Sequence, residues 1–292
     1  MDQVVSLKSL ADRVEIAPGV WMPRLGLGTY LAASGQDVEG EIRDGLSLGY
    51  RGIDTAAIYH NEESVGRAIR AGGVPRADLF VATKVWNSDQ GYEQTLAAFE
   101  RSLSRLALDY VDLYLIHWPN RAKAQGTWRA MQELQAAGKT RAIGVCNHKE
   151  NDLEHLLAFA TVPPAVDQVE LHPYLQRRAL REYCGAHAIT VQAWAPLMKG
   201  RAAKVPELVE IARRHRKSPA QTTLRWLLQH GIIAIPKSVH KERLAENADV
   251  FDFELSEAEM AAIDGIDRGK RMGVGPELTA RLNGLARRLG WR

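Results

Sequence analysis

Leu79-Phe-Val-Ala-Thr-Lys84, then Leu96, Phe99, Leu103 and Leu106, then Asp112-Leu-Tyr-Leu-Ile-His117: this stretch reads as strand, helix, strand. Short apolar runs suit buried strands, and spacings of three and four residues between them put apolar side chains on one face of a helix. Strands joined through a helix run in the same direction. The stretch is therefore one βαβ unit of a parallel sheet.

The same alternation extends both ways. Toward the N-terminus lie Val14-Glu-Ile16 and Val20-Trp21, a predicted hairpin, followed by Arg24-Leu-Gly-Leu-Gly28. A stripe of Val38, Ile42 and Leu46 comes next, then Arg51-Gly-Ile-Asp54 and a helix from about Glu62 with Val65 and Ile69 on one face. Toward the C-terminus the spacing predicts a helix from about Thr127 to Ala137, ended by Gly138, and then the strand Ala142-Ile-Gly-Val145. Asn151, with Glu154 three residues on, predicts a capped helix start. Ala165 to Glu170, a helix near Arg178 to His187, and Thr190-Val-Gln-Ala193 follow. A helix from Ser218-Pro219, with proline in the first turn, and Ile232-Ile-Ala-Ile235 complete the pattern.

Eight strand candidates in β-then-α order predict the α/β class and a closed (β/α)8 barrel. A doubly wound open sheet is the alternative. No Pro/Gly/Ser-rich linker interrupts the alternation, so residues 1–292 are expected to form one domain, with a core of about 14–264 and a tail of about 265–292. In the tail, Leu278, Leu282, Leu285 and Leu289 form a helical stripe, expected to pack on the barrel. Two nucleotide motifs are decoys. Gly26-Leu27-Gly28 lacks the third glycine of the dinucleotide fingerprint, and Gly138-Lys139-Thr140 has Glu133 where a P-loop needs its first glycine.

With 46% hydrophobic and 25% charged residues, the composition is that of an ordinary globular chain. A net charge of +3 is too small to argue for nucleic acid, no Lys/Arg run of the binding kind is present, and the mild excess suits a small anionic ligand. Cys146 and Cys184 offer neither a disulfide framework nor metal-type spacing, and imply reduced thiols in the cytoplasm. No apolar run approaches the roughly 18 residues of a membrane span, and the N-terminus does not read as a signal peptide.

Function is legible at the strand ends. Asp54, Lys84 and His117 each close a strand, with Tyr59 five residues past the first. In a parallel barrel such ends converge on one face. A free phenol, with a pKa of roughly 10, is a poor acid at neutral pH. An ammonium beside it favours the phenolate and is expected to lower that pKa. A lysine in a dry site needs a carboxylate to stay charged, which Asp54 supplies. His117 can donate a hydrogen bond to a carbonyl oxygen and orient it. Taken singly, each residue has a duller explanation: a loop cap, a packing ring, a solvated strand end, a satisfied core imidazole. Their placement on one predicted face argues for joint action in proton transfer to a carbonyl.

The chain resembles the aldo-keto reductase family from about Val14 to about Asp264. The matching stretches are Leu25-Gly-Leu-Gly-Thr29, Gly49-Tyr-Arg-Gly-Ile-Asp-Thr-Ala-Ala-Ile-Tyr59, Leu115-Ile-His-Trp-Pro119, Ile143-Gly-Val-Cys-Asn147, Gln168-Val-Glu-Leu-His-Pro-Tyr174 and Ile235-Pro-Lys-Ser-Val239. The likeness implies a monomeric, metal-free barrel that reduces aldehydes and ketones with NADPH. It implies Tyr59 as proton donor, Asp54 and Lys84 as its tuners, and His117 as the residue orienting the carbonyl. Cofactor contacts are implied at Gly28, Thr29, Asp54, Cys146, Asn147, Gln168, Trp194, Ala195, Leu197, Lys237, Ser238, Val239, Arg243, Glu246 and Asn247. Cys146, Asn147 and Gln168 match carboxamide contacts, Trp194 the ring that stacks on nicotinamide, and Glu246 and Asn247 the adenine contacts. Lys237, Ser238 and Arg243, two cations and a hydroxyl after the last strand at a helix start, have the chemistry of a phosphate clamp; taken alone they read as a solvated basic turn, and the resemblance is what favours the phosphate. Tyr30, Trp86, His117 and Trp118 are expected to line the substrate site. Trp194 and the short loop from Asn120 to Gly126 resemble the bacterial branch containing 2,5-diketo-gluconate reductases. The chain departs from the family pattern at Cys146 (usually serine), Trp194 (usually tyrosine), Ala195 and Met198. The rival reading is a cofactor-binding regulatory or sensing protein, marked by loss of a catalytic residue or an added docking segment; a structural or storage role is the third.

Overall fold

The structure, a computed structural model, describes residues 7–30 and 36–273. A hairpin of β1 (Arg13–Ala17) and β2 (Val20–Pro23) precedes β3 (Leu27–Gly28). Then come α1 (Gln36–Ser47), β4 (Gly52–Asp54), α2 (Glu62–Ala71), β5 (Phe80–Val85), α3 (Tyr92–Leu106) and β6 (Val111–Ile116). The chain continues through α4 (Ala124–Ala136), β7 (Thr140–Cys146), α5 (Glu150–Leu157), β8 (Val166–Glu170), α6 (Arg178–Ala186) and β9 (Thr190–Trp194). It ends with α7 (Pro206–His215), α8 (Pro219–Gln229), β10 (Ile233–Ala234), α9 (Lys241–Ala248) and α10 (Glu257–Asp264).

Strands β3 to β10 lie side by side in chain order, all parallel. The seam is closed by a bridge between Leu25 and Ala234, with Gly26 N–H donating to Ala234 O at 2.9 Å and Gly28 N–H to Pro236 O at 3.2 Å. This is the barrel, and the open sheet is excluded. Gly28 allows the seam to close: a Cβ there would lie 2.9 Å from the backbone oxygen of Ile235.

Strand side chains alternate between the two faces of a sheet. Phe80, Ala82, Leu113, Leu115, Ala142, Val166 and Ile233 form the barrel interior, where Ile16, Val20 and Met22 of the hairpin join them. Val81, Val85, Tyr114, Ile116, Ile143, Val145 and Val169 take the opposite parity and meet the helices in the outer core. That inward parity carries Lys84, His117, Cys146 and Gln168 to the C-terminal end of the barrel. Helix α2 touches α3 at Gly66, where a Cβ would come within 2.1 Å of Leu106 O. Gly66→Ala is therefore expected to cost about 1–3 kcal/mol of stability by forcing the two helices apart, measured as a lower urea midpoint with an unchanged slope.

Several expectations need correction. Helix α5 starts at Glu150 with Lys149 as N-cap, and Asp152 accepts the Lys149 N–H at 3.3 Å; Asn151 and Glu154 are not its capping pair. Helix α4 begins three residues before Thr127. Helices α7 and α10 were not anticipated. Of the tail, 265–273 carries no helix, and the leucine stripe beyond it lies outside the described residues.

Candidate active site

Asp54 ends β4, Lys84 is the penultimate residue of β5, and His117 follows β6. Lys84 Nζ lies 2.5 Å from Asp54 Oδ1, 2.8 Å from Thr55 O and 3.5 Å from Tyr59 Oη. The lysine is 0% exposed. Burial is the largest single influence and works against its ammonium, but Asp54, Tyr59 and Cys146 together hold the group above its ordinary pKa. The Asp54 Oδ2 atom accepts from Gln168 Nε2 at 2.7 Å, so both carboxylate oxygens are engaged.

Tyr59 sits on a single helical turn, Ala57–Tyr59, anchored by residues that sequence reasoning missed. Asn61, almost fully buried, donates from Nδ2 to Thr29 O at 3.0 Å and accepts from Thr55 Oγ1 at 2.8 Å. Thr29 in turn bonds Asp54 O through both N–H and Oγ1, each at 3.0 Å. This network fixes where the Tyr59 turn leaves the barrel.

The expected lowering of the Tyr59 pKa is not seen. Burial pushes the phenol above its ordinary value, with Asp54 and Cys146 adding to the rise, while the Lys84 ammonium only opposes it. Tyr59 therefore keeps its proton at neutral pH, the form a donor requires. Burial and the nearby Lys84 charge hold His117 well below the usual imidazole range. It is neutral, and its buried Nδ1 has no partner among the described residues.

Aromatic rings surround these groups. Tyr30 and Tyr59 have centroids 5.0 Å apart, Tyr59 and His117 meet edge-on at 5.6 Å, and Trp86 and His117 edge-on at 5.1 Å. Trp118 is nearly parallel to His117 at 6.5 Å. All four expected substrate-lining residues are thus joined in one wall around Tyr59.

Cys146, Asn147, Gln168 and Trp194 also come together. Asn147 donates from Nδ2 to His117 O at 3.0 Å and accepts from Trp194 Nε1 at 3.0 Å. Both ends of that amide are engaged with protein. Gln168 Oε1 takes no hydrogen bond among the described residues, which leaves it as an acceptor. Cys146 is buried, and burial raises its thiol pKa. Ala195 adopts φ 49°, in the left-handed region, as the chain turns out of β9 past Leu197.

Around the barrel, Lys237, Val239 and Arg243 are exposed while Ser238 is buried; neither cation makes an ion pair among the described residues. Glu246 and Asn247 lie near the end of α9. Glu170, also unanticipated, is fully buried and accepts from Met272 N–H at 2.5 Å and Gly273 N–H at 2.7 Å, with Arg271 Nη1 at 3.3 Å. It pins the last described residues across the mouth: a Cβ on Gly273 would fall 2.4 Å from the Trp194 ring.

A cluster of ionisable groups at the C-terminal mouth of a parallel eight-stranded barrel is the arrangement of a barrel enzyme. The chain belongs to the Aldo/keto reductase family, whose model matches residues 24–268. It is 51% identical over 269 residues to a glyoxal reductase of Bacillus subtilis, covering 92% of this chain and 98% of that one. An aldo/keto reductase from Brucella melitensis has a TM-score of 0.84 at 44% identity, over 88% of this chain and 99% of that chain. A Bombyx mori aldo-keto reductase, solved in complex with NADP, has a TM-score of 0.87 at 32% identity, over 94% and 97%. The protein is an oxidoreductase.

Proposed function

We propose that this protein reduces aldehydes and ketones to alcohols with NADPH, Tyr59 handing its proton to the carbonyl oxygen. The observation that carries the reading is the chain of contacts from Asp54 through the fully buried Lys84 to the hydroxyl of the half-buried Tyr59, beside a neutral His117 in an aromatic wall. When bound, NADPH supplies the hydride. Negative charge then grows on the substrate oxygen, and the protein must neutralise it. His117, neutral and short of one partner, orients the carbonyl by a hydrogen bond. Tyr59 transfers its proton, and Lys84 stabilises the phenolate left behind. Asp54 keeps Lys84 charged at a position with no solvent exposure.

The residues present fit the cofactor. Gln168 Oε1 accepts no hydrogen bond among the described residues and can take a carboxamide N–H, Trp194 supplies an aromatic ring, and Lys237 and Arg243, beside the Ser238 turn, make no ion pair among the described residues. The guanidinium in particular matches phosphate geometry. Presence of all four ionisable groups argues against a sensor that has lost its chemistry. The aromatic pocket and the likeness to a glyoxal reductase favour small aldehydes, glyoxal included.

The test is a fluorescence titration with NADPH and NADH, followed by a panel of carbonyls read by cofactor absorbance. NADPH is expected to bind at least about tenfold tighter than NADH, a difference of about 1.4 kcal/mol, with turnover on several aldehydes. Lys237→Ala is expected to erase most of that preference without changing NADH affinity. Binding without turnover on any carbonyl would end the enzymatic reading.

A further inference from the structure

Glu41 is an anomaly on α1. The helix's other core positions, Val38, Ile42 and Leu46, are apolar, yet this carboxyl is only 1% exposed among them. Its Oε1 accepts the backbone N–H of Ser238 at 3.3 Å, and its Oε2 is buried with no partner among the described residues. An acidic side chain from α1 thus occupies a backbone donor of the very turn whose Lys237, Ser238 and Arg243 were assigned to the cofactor phosphate.

We infer that Glu41 is a proton-linked specificity residue: it must carry a proton while a phosphomonoester dianion is held by Lys237, Ser238 and Arg243, so a 2′-phosphorylated dinucleotide binds with proton uptake and an unphosphorylated one without it. The inference rests on the NADPH reading above. The physical reason is that two anions held side by side repel, and the one cut off from water is the more readily neutralised. The phosphate, doubly charged and facing exposed cations, keeps its charge, and the enclosed carboxyl loses its own. Burial already lifts Glu41 to about 8, with the Ser238 N–H and the Lys237 charge pulling the other way. At neutral pH the carboxyl is therefore mostly protonated, and the turn is ready for the anion.

The surrounding charges leave Glu41 as the group to titrate. On α1, Asp44 faces Lys241 Nζ at 3.5 Å and Glu39 pairs with Arg67 of α2 at 2.9 Å. The Ser238 turn contributes Lys237 and His240, and α9 contributes Arg243 and Glu246. Of these charges, Lys237 is the one that acts on the Glu41 carboxyl. The Glu41→Gln variant removes that one titration and leaves His240 in place.

The experiment is calorimetric titration of the intact protein with NADPH or NADH, without a carbonyl, at pH 8 in two buffers of different ionisation enthalpy. The phosphomonoester is fully ionised there, its own pKa being about 6. The expected result is uptake of about half a proton per NADPH and none per NADH. NADPH affinity falls about tenfold between pH 7 and pH 9 in the native protein, whereas E41Q shows neither uptake nor that slope. Absence of proton uptake in the native protein, or equal uptake in E41Q, overturns the inference. If NADPH is still preferred over NADH in that case, the phosphate site stands and only the role of Glu41 falls. If NADPH is not preferred even at pH 7, both fall together. Should E41Q fail to fold, Glu41→Ser takes its place, and uptake that persists in E41S overturns the inference.

Discussion

Tyr59→Phe is expected to lower kcat for carbonyl reduction by about 10²–10⁴-fold, the range for loss of a positioned acid, with NADPH affinity changed by less than about twofold, well under 1 kcal/mol. The substitution removes one oxygen and keeps the ring, so the contacts with Tyr30 at 5.0 Å and His117 at 5.6 Å survive. The Lys84–Asp54 pair also survives, since its 2.5 Å contact does not pass through the phenol. What disappears is the proton beside Lys84 that can be delivered to substrate. Because burial holds the phenol above its ordinary value, native activity is expected to persist into mildly alkaline solution without loss from Tyr59 ionisation. Single-turnover kinetics with saturating NADPH separate the chemical step from binding. A Tyr59→Phe variant turning over at more than a tenth of the native rate would remove Tyr59 from the mechanism.

The legible parts of the site are those that period and topology dictate. Lys84 and His117 share the inward parity of their strands, and strand ends in a barrel meet, so a run of letters was enough to bring them together; Gln168, of the same parity, was legible only through the family resemblance. Helix α8 was equally plain, its Ser218 accepting from Gln221 N–H at 3.2 Å as a cap should. Helix α10 was not, because it buries little more than Ile263 and Glu259 and so lacks an apolar stripe; its Ser256–Glu259 capping box was the signal available. The Asn151 start failed because local capping rules do not say which of several polar residues wins. Nor could the chain alone reveal Asn61, Glu41 or Glu170. Their roles rest on contacts with Thr29, Ser238 and Met272, and the last two pairs are separated by 197 and 102 positions. The direction of the Tyr59 shift was misjudged for a related reason. An adjacent lysine is visible in sequence, but how much water burial removes is not.

Asp54→Ala is expected to destabilise the fold by about 3–5 kcal/mol at pH 7, the cost of stranding one member of a buried ion pair. Lys84 would keep only neutral acceptors, Thr55 O at 2.8 Å and Tyr59 Oη at 3.5 Å, at a position with no exposure. Gln168 Nε2 would fall back on Gln192 Oε1 at 2.8 Å alone. The pH dependence identifies the cause. In the native protein the folded-state pKa of Lys84 is raised, so its contribution is fully present below the unfolded value of about 10.4 and is lost as pH climbs through the folded value. In the variant the sign reverses: burial acts without Asp54 to oppose it, and the folded-state pKa falls below about 10.4. Folding then requires the lysine to shed a proton that the unfolded chain retains, and this becomes easier as pH rises. The gap between variant and native protein in urea denaturation should therefore narrow from about pH 7 to about pH 9.5. A gap that stays constant across that range would mean that the lost stability comes from packing or from the Gln168 hydrogen bond, and that Lys84 does not depend on Asp54 for its charge.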